Sequence, residues 1–500
     1  MLRRMLPLAL LCAHLGLVRI AWGGQTWLQA SDAVCATQDD QTAAVAVVDH
    51  RGPAGVFRTY VAGSTFDDVF WGLPGWQKQF GGSQDAFLAR YDFVGGTMKT
   101  AFTYFGGASD QDRAKAVAVG PHDHVYIVGA LGGLDPGFIS TLPATIDVPR
   151  YEGKVDGFIA VFSSDLRYLK WFNLIGGEFS DIALGIAIAP NGDFYVCGST
   201  TSYPLEYRGL QVWTKTRHCV GCGSRENNGS GFIARYNSNG RLLAWRYVED
   251  PQGEYTWAQG IAVGNGCVYV TGARKNPKGP QNFDAFLACY SLSLGAQRTF
   301  KSIGGPEDEN PNLPADTPRG IAVDAKGNVF ISGESMSTDV DISPSPTNAL
   351  PGTHFPGPFV YEQDQAGQVI LFTSLADSGG GDAKGLRINS DRTIFVSGRV
   401  MKNKLVEKNG FKTIDSGMAG TVPEHPTFAA EIQTKPKLDL IFSTYLSGFC
   451  PGKQDGTGLA IDNSDHLYLV GYTPCSNFPP PPSTGFGNGA EVFLSRIHYH

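Results

Sequence analysis

Three short phrases recur seven times along this chain, always in the same order, and such a repeat restricts the fold more than any other feature of the sequence. The first phrase is a run of small and β-branched residues. Its copies are Ala44-Val45-Ala46-Val47, Ala116 to Val119, Gly185-Ile186-Ala187-Ile188, Gly260 to Val263, Gly320 to Val323, Gly385-Leu386-Arg387-Ile388 and Gly458 to Ile461. The second phrase is an aromatic residue followed three positions later by glycine. It runs from Tyr60 to Gly63, Tyr126 to Gly129, Tyr195 to Gly198, Tyr269 to Gly272, Phe330 to Gly333, Phe395 to Gly398 and Tyr468 to Gly471. The third surrounds a phenylalanine: Phe87, Phe158, Phe232, Phe286, Phe359, Phe428 and Phe493. A fourth strand follows in the first six units, often ending in paired glycines such as Gly106-Gly107, Gly176-Gly177 and Gly304-Gly305.

The phrases are short, rich in Val, Ile, Tyr and Phe, and bounded by Gly, Asn, Asp or Ser, which is strand chemistry. Between phrases one and two, Pro190-Asn191-Gly192-Asp193 and Ala325-Lys326-Gly327-Asn328 supply hairpin-turn residues that tolerate positive φ. Composition agrees: 63 glycines and 11% aromatics beside only 17% charged residues suit many short strands and tight turns. Four strands per unit, with few helical segments, describe a propeller blade. The predicted fold is all-β: a seven-bladed β-propeller over residues 24–500, with blades starting near residues 44, 116, 185, 260, 320, 385 and 458. A four-stranded blade needs only about 40–50 residues. The excess falls mostly between phrases two and three, as from Thr201 to Ser230 and Met401 to Pro426, so it forms long loops on a regular scaffold.

The chain ends sharpen the count. Unit seven stops at its third strand, Glu491 to Ile497, while Gln25 to Ser31 stands where a fourth strand should precede unit one. This N-terminal strand is predicted to pair beside Glu491 to Ile497 and close the last blade, leaving no blade unpaired within the ring.

The phrases resemble the bacterial β-propeller repeat family abbreviated SBBP, whose units read D-x-F-x-A-K/R, a strand ending in G-G, G-x-A-V-D and V-Y-V-x-G. The resemblance covers roughly residues 40–497 and is fullest in the first four units. It thins at Pro358-Phe359-Val360-Tyr361, which lacks the Ala-Arg pair, and at Arg387, which stands where alanine is usual. The resemblance implies a propeller in an extracytoplasmic or surface location and brings no catalytic motif.

Arg3 and Arg4, the apolar run from Met5 to Val18, and the small residues Ala21 and Gly23 read as a signal peptide over residues 1–23. The run is short for a bilayer span and no later stretch approaches one, so a secreted or cell-surface protein with no membrane span is expected. The formal charge of −7 becomes −10 once Arg3, Arg4 and Arg19 are removed. An acidic exterior without a basic run argues against nucleic acid and anionic membranes. Eight cysteines then remain, and an even number in a secreted chain favours disulfides. Cys450 is expected to pair with Cys475, Cys267 with Cys289 across one hairpin, and Cys219 with Cys222 within a loop. The spacing of Cys219 and Cys222 also suits a metal, but no second such pair accompanies them. The partners of Cys35 and Cys197 stay open.

In a propeller the loops between strands two and three share a face with the interblade loops. That face is the candidate binding surface, because variable loops on a rigid scaffold carry function. Its interblade loops repeat an acid: Asp40, Asp112, Asp181 and Asp316 lie four residues before the first phrase, and Asp382 and Asp455 three before it. If the first strand lines the axis, these six carboxylates ring one channel mouth and suit Ca²⁺, the one cofactor suggested. Alternatively each caps its own turn by accepting backbone N–H bonds. Recurrence in nearly every blade favours the cap, since a site needs only a few blades. No nucleophile elbow, zinc-protease motif or phosphate loop occurs, so no catalytic residue is assigned. The expected function is a secreted or cell-surface binding, adhesion or scaffold module that takes a protein or glycan ligand on its long-loop face. The alternative is a secreted lyase or hydrolase with its site at the channel mouth, which would need His, Arg, Tyr and carboxylate side chains converging there.

Overall fold

The computed structural model describes residues 27–34, 41–49, 57–66, 68, 73–94, 97–109, 111–149, 151, 153–202, 206–207, 210–211, 229–276, 283–304, 320–337, 349–410, 425–448, 454–462, 466–474 and 491–498. They form seven four-stranded antiparallel sheets, built from successive strands except in the last, with one two-stranded hairpin, Glu206–Tyr207 with Leu210–Gln211, inserted between the second and third strands of the third blade. The first blade contains Gln41–Asp49, Phe57–Thr65, Asp85–Val94 and Thr97–Phe105. The first strands of the next six blades are Arg113–Val119, Asp181–Ile188, Thr256–Gly264, Ile321–Val323, Gly381–Ile388 and Asp455–Ile461. Each first strand neighbours those of the blades before and after it, and that of blade seven returns to Gln41–Asp49, so the array is a closed ring.

The closure joins the two ends of the chain. The N-terminal strand Trp27–Val34 pairs antiparallel with Glu491–His498, from Trp27 opposite His498 to Val34 opposite Val492. It is the outermost strand of blade seven, as predicted. Pairing distant segments in one sheet makes opening the ring cost a whole strand of ladder hydrogen bonds.

One register explains why the second and third phrases recur. In all seven blades the glycine of phrase two lies directly opposite the phenylalanine of phrase three: Gly63 opposite Phe87, Gly129 opposite Phe158, Gly198 opposite Phe232, Gly272 opposite Phe286, Gly333 opposite Phe359, Gly398 opposite Phe428 and Gly471 opposite Phe493. Every one of these phenylalanines is at most 1% exposed. Burying such a ring stabilises the blade by about 2–3 kcal/mol. Rings from neighbouring blades merge into continuous clusters. Phe105, for example, packs against Phe158 and Phe172 of the next blade, with ring centroids 4.8 and 5.4 Å away.

Small residues in phrase one have a different cause. First strands crowd toward the axis, so a methyl at Gly320 would sit 2.5 Å from the Leu386 Cβ, and one at Gly385 would sit 2.7 Å from the Leu459 Cβ. Long loops leave the scaffold between second and third strands; one carries the short helix Pro136–Thr141, whose Phe138 is buried against Phe105.

Candidate functional site at the central channel

The glycine of phrase two also bends the strand beside it. A methyl at Gly129, Gly198, Gly272, Gly398 or Gly471 would lie 1.8–2.0 Å from a carbonyl oxygen of the first strand: Arg113, Ile182, Trp257, Asp382 or Asp455 respectively. Only glycine admits that approach. Immediately beyond, the first strand bulges. The register slips between Thr42 and Ala44, Ala114 and Ala116, Ala183 and Gly185, Ala258 and Gly260, Ala383 and Gly385, and Gly456 and Gly458, always at the same place in the repeat. A bulge carries one residue out of the alternation and re-aims its side chain. Here the extra residues Lys115, Leu184, Gln259, Lys384 and Thr457 all line the axial cavity.

That cavity has a volume of about 300 Å³ and is walled by first strands from all seven blades. Most of its wall is Ala, Gly, Val, Ile or Leu. The polar exceptions are Lys115, Gln259, Lys384, Arg387 and Thr457. Arg387 is the third residue of its first phrase, where the other six blades have alanine, among them Ala187 and Ala262 on the same wall.

Charge is distributed unevenly around this wall. Lys384 is buried and forms an ion pair with Asp455 of the next blade, and its Nζ lies 3.7 Å from the Asp382 carboxylate. Arg399, directly opposite Asp382 in the ladder, approaches the same carboxylate at 3.4 Å. The Asp382 and Asp455 carboxylates hold the Arg399 guanidinium above its usual range, against its burial, while burial raises Asp455 against the pull of Lys384. Burial and the nearby Asp455 also push Tyr472 up to about 12. These groups tie blade six to blade seven. Arg387 stands outside the network: its guanidinium donates to the Leu386 carbonyl at 2.8 Å and has no acidic partner among the described residues. Gln259 is 1% exposed, and both its amide nitrogen and its amide oxygen lack hydrogen-bond partners.

The repeated aspartates sit just above this wall. Asp112, Asp181, Asp382 and Asp455 are all buried, whereas Asp40 and Asp316 lie outside the described residues. Asp112 accepts from the Gly107 and Gly132 backbone N–H groups, each at 2.8 Å. Asp181 accepts from the Gly177 N–H at 2.9 Å and the Ser202 hydroxyl at 2.7 Å, and burial pushes it up to about 6. Gly107 and Gly177 are interblade residues, while Gly132 and Ser202 open the long loops. Each carboxylate therefore ties an interblade turn to a long loop, and the two kinds of loop share one face. Further bonds do the same: the Ala108 N–H reaches Asp135 at 2.7 Å, and Asp377 N–H reaches the Lys404 carbonyl at 2.7 Å. Asp382 and Asp455 face the cations described above. Among the described residues, no group of three or more His, Cys, Asp or Glu side chains is arranged to hold a metal ion.

Cys267 and Cys289 form a disulfide, with Cα atoms 6.0 Å apart, diagonally across the hairpin of blade four. Cys197 is a free thiol, fully buried, and burial raises its pKa. Cys35, Cys219, Cys222, Cys450 and Cys475 lie outside the described residues. Sequence reasoning did not identify Lys115, Gln259 and Lys384 as channel residues. The available signal was their shared position, one residue before each first phrase.

The molecule is thus a seven-bladed β-propeller, closed by its own N-terminal strand, with cations and an unpaired amide on the wall of its axial cavity. No protein-family model matches the chain, and no curated protein does. Solved structures similar to it include a Dyadobacter fermentans protein of unknown function, 10% identical over 95% of this chain and 99% of that one, with a TM-score of 0.40. The polysaccharide lyase Uly1 is 12% identical over 93% of this chain and 91% of its own, with a TM-score of 0.44. Extracellular domains 1–2 of Drosophila Semaphorin 1b are 9% identical over 93% and 88%, with a TM-score of 0.40. Likenesses this distant say nothing about substrate or role.

Proposed function

We propose that the chain is an extracytoplasmic binding module of the SBBP kind that holds a glycan on its long-loop face, around the mouth of the channel. The observation that carries this reading is the hydrogen-bonded union of long loops and interblade turns, through Asp112, Asp181 and Asp135, into one surface. A surface fixed in advance loses little entropy when a ligand docks. The signal-like N-terminus and the Cys267–Cys289 disulfide support an oxidising, extracytoplasmic setting. The groups at the channel are cations, an amide and a hydroxyl. They suit hydrogen bonding to sugar hydroxyls better than proton transfer, because the described lining includes no histidine, tyrosine or carboxylate.

The test is a glycan array probed with the disulfide-intact protein, in parallel with a variant whose loop 133–149 is replaced by a Gly-Ser linker. Saturable binding that the variant loses while its strand circular dichroism is unchanged supports the reading. Cleavage of a bound saccharide would favour the lyase or hydrolase alternative. A protein-only ligand would overturn the glycan assignment.

A further inference from the structure

We propose that the axial cavity is a binding site for one small hydroxylated monocarboxylate, of the hydroxy-acid or sugar-acid class, held by Arg387 with Gln259 as its polar partner. Two independent features on one wall point to a ligand. Arg387 carries a charge with no acidic partner among the described residues, and Gln259 keeps a whole amide unpaired while only 1% exposed. Enclosing an unpaired cation or amide costs free energy unless something later pairs with it.

The scaffold does not need either group. The other six blades close the same ring with alanine at the Arg387 position, and blade three places Leu184 at the Gln259 position. Arg387 is therefore a departure from the repeat, whereas Gln259 shares its position with the polar Lys115, Lys384 and Thr457 and stands apart by its unpaired amide.

The chemistry narrows the ligand class. Lys384 already faces Asp455 and Asp382 and Lys115 is itself engaged, so among the described lining residues Arg387 supplies the cation without an acidic partner, and one such charge matches a monoanion. After its bond to the Leu386 carbonyl, the guanidinium retains donors in a planar fork, the geometry that fits a carboxylate. Gln259 can both donate to and accept from hydroxyl groups. The cavity, about 300 Å³, is at the lower end of small-molecule sites and admits a monosaccharide-sized acid. Burial depresses the Arg387 pKa from 12.5 with no opposing carboxylate, which agrees with a cation lacking its counter-ion. The site is independent of the loop-face reading: a free acid can occupy it whether or not a polymer binds above.

The experiment is calorimetric titration of the full chain with D-glucuronate and with acetate, with D-glucose and inorganic phosphate as controls, alongside Arg387→Ala and Gln259→Leu. The expected result is one saturable glucuronate site, with neither control binding. Arg387→Ala should weaken glucuronate about 30-fold or more, as expected for loss of a charge-assisted pair in a half-buried site. Its ligand-free melting temperature should equal or exceed that of the parent, because an unpaired charge has been removed. Gln259→Leu should weaken glucuronate and leave acetate unchanged. Should Arg387→Ala fail to fold, Arg387→Lys, which keeps the charge and loses the fork, should weaken glucuronate in its place. The proposal is overturned if the parent binds no carboxylate, if phosphate binds as tightly as glucuronate, or if the Arg387 variants bind glucuronate like the parent.

Discussion

Asp85 gives a prediction whose size follows from its surroundings. It begins the third strand of blade one, is fully buried, and accepts from the Gly81 N–H at 2.8 Å while its second oxygen has no partner. Burial pushes its pKa from 3.8 up to about 8. The Gly81 bond opposes that shift, and the neighbouring Asp112 and Asp135 reinforce it. The folded form therefore holds this proton more tightly than the unfolded form. Its contribution to stability is complete below 3.8 and is lost as pH rises toward 8. At about 1.4 kcal/mol per pH unit, the loss between pH 4 and 7 is roughly 4 kcal/mol. Asp85→Asn is neutral throughout and keeps an oxygen for Gly81. Any fixed cost of the amide cancels when the two proteins are compared across pH. Urea titrations at pH 4, 5, 6, 7 and 7.5 should show the variant gaining on the parent steadily, by roughly 4 kcal/mol over the range. Asp181 is shifted in the same sense, up to about 6, but it is common to both proteins and cancels from the comparison. A stability difference that stays flat within about 1 kcal/mol from pH 4 to 7.5 would refute the reasoning.

Three further outcomes are expected. Cys267→Ser opens a loop of sequence separation 22 and should lower stability by about 3 kcal/mol; unreduced mass spectrometry showing both thiols free in the parent would contradict this. Deleting residues 27–34 leaves Glu491–His498 without its outer partner and should lower the melting temperature and expose blade seven to protease, whereas an unchanged melt would mean the strand does not fasten the ring. Asp112→Ala strands two backbone N–H groups and should cost about 3 kcal/mol in urea unfolding. Because those oxygens are engaged by the backbone, the parent should melt identically with and without chelator, and a lowered melt on chelation would reassign these aspartates as calcium ligands.

The architecture was legible because it is dictated by local, repeated chemistry. A glycine opposite a phenylalanine in every blade requires the same residues in the same order seven times, so the pattern surfaces in the bare sequence. The closing strand was legible by elimination, since unit seven lacked a partner that Gln25 to Ser31 could supply, although the strand itself runs from Trp27 to Val34. The bulges were not legible. A one-residue register slip leaves no compositional mark, yet it decides that Lys115, Gln259 and Lys384 meet at the axis. Nor was the seam of Lys384, Asp455, Asp382 and Arg399, which spans two blades and depends on side chains 71 residues apart.

A repeat inverts the usual search for a site. In a non-repeating fold, a cluster of acids draws attention because nothing else explains it. Here Asp112 and Asp181 do equivalent work in successive blades, accepting from an interblade glycine and from the long loop beside it, and their recurrence follows from the recurrence of the joint they hold. Arg387 shows the opposite logic. As a member of its phrase it is a flaw, a large cation where alanine packs six times, and it makes the resemblance to the repeat worse. Once the first strands are seen to wall a cavity, the same flaw becomes the most informative residue in the chain. The blades supply an internal control, since six of the seven take their place in the ring with alanine at this position. An anion entering the channel, as proposed above, would offset the cost of placing this cation at the axis of a protein whose formal charge is −7.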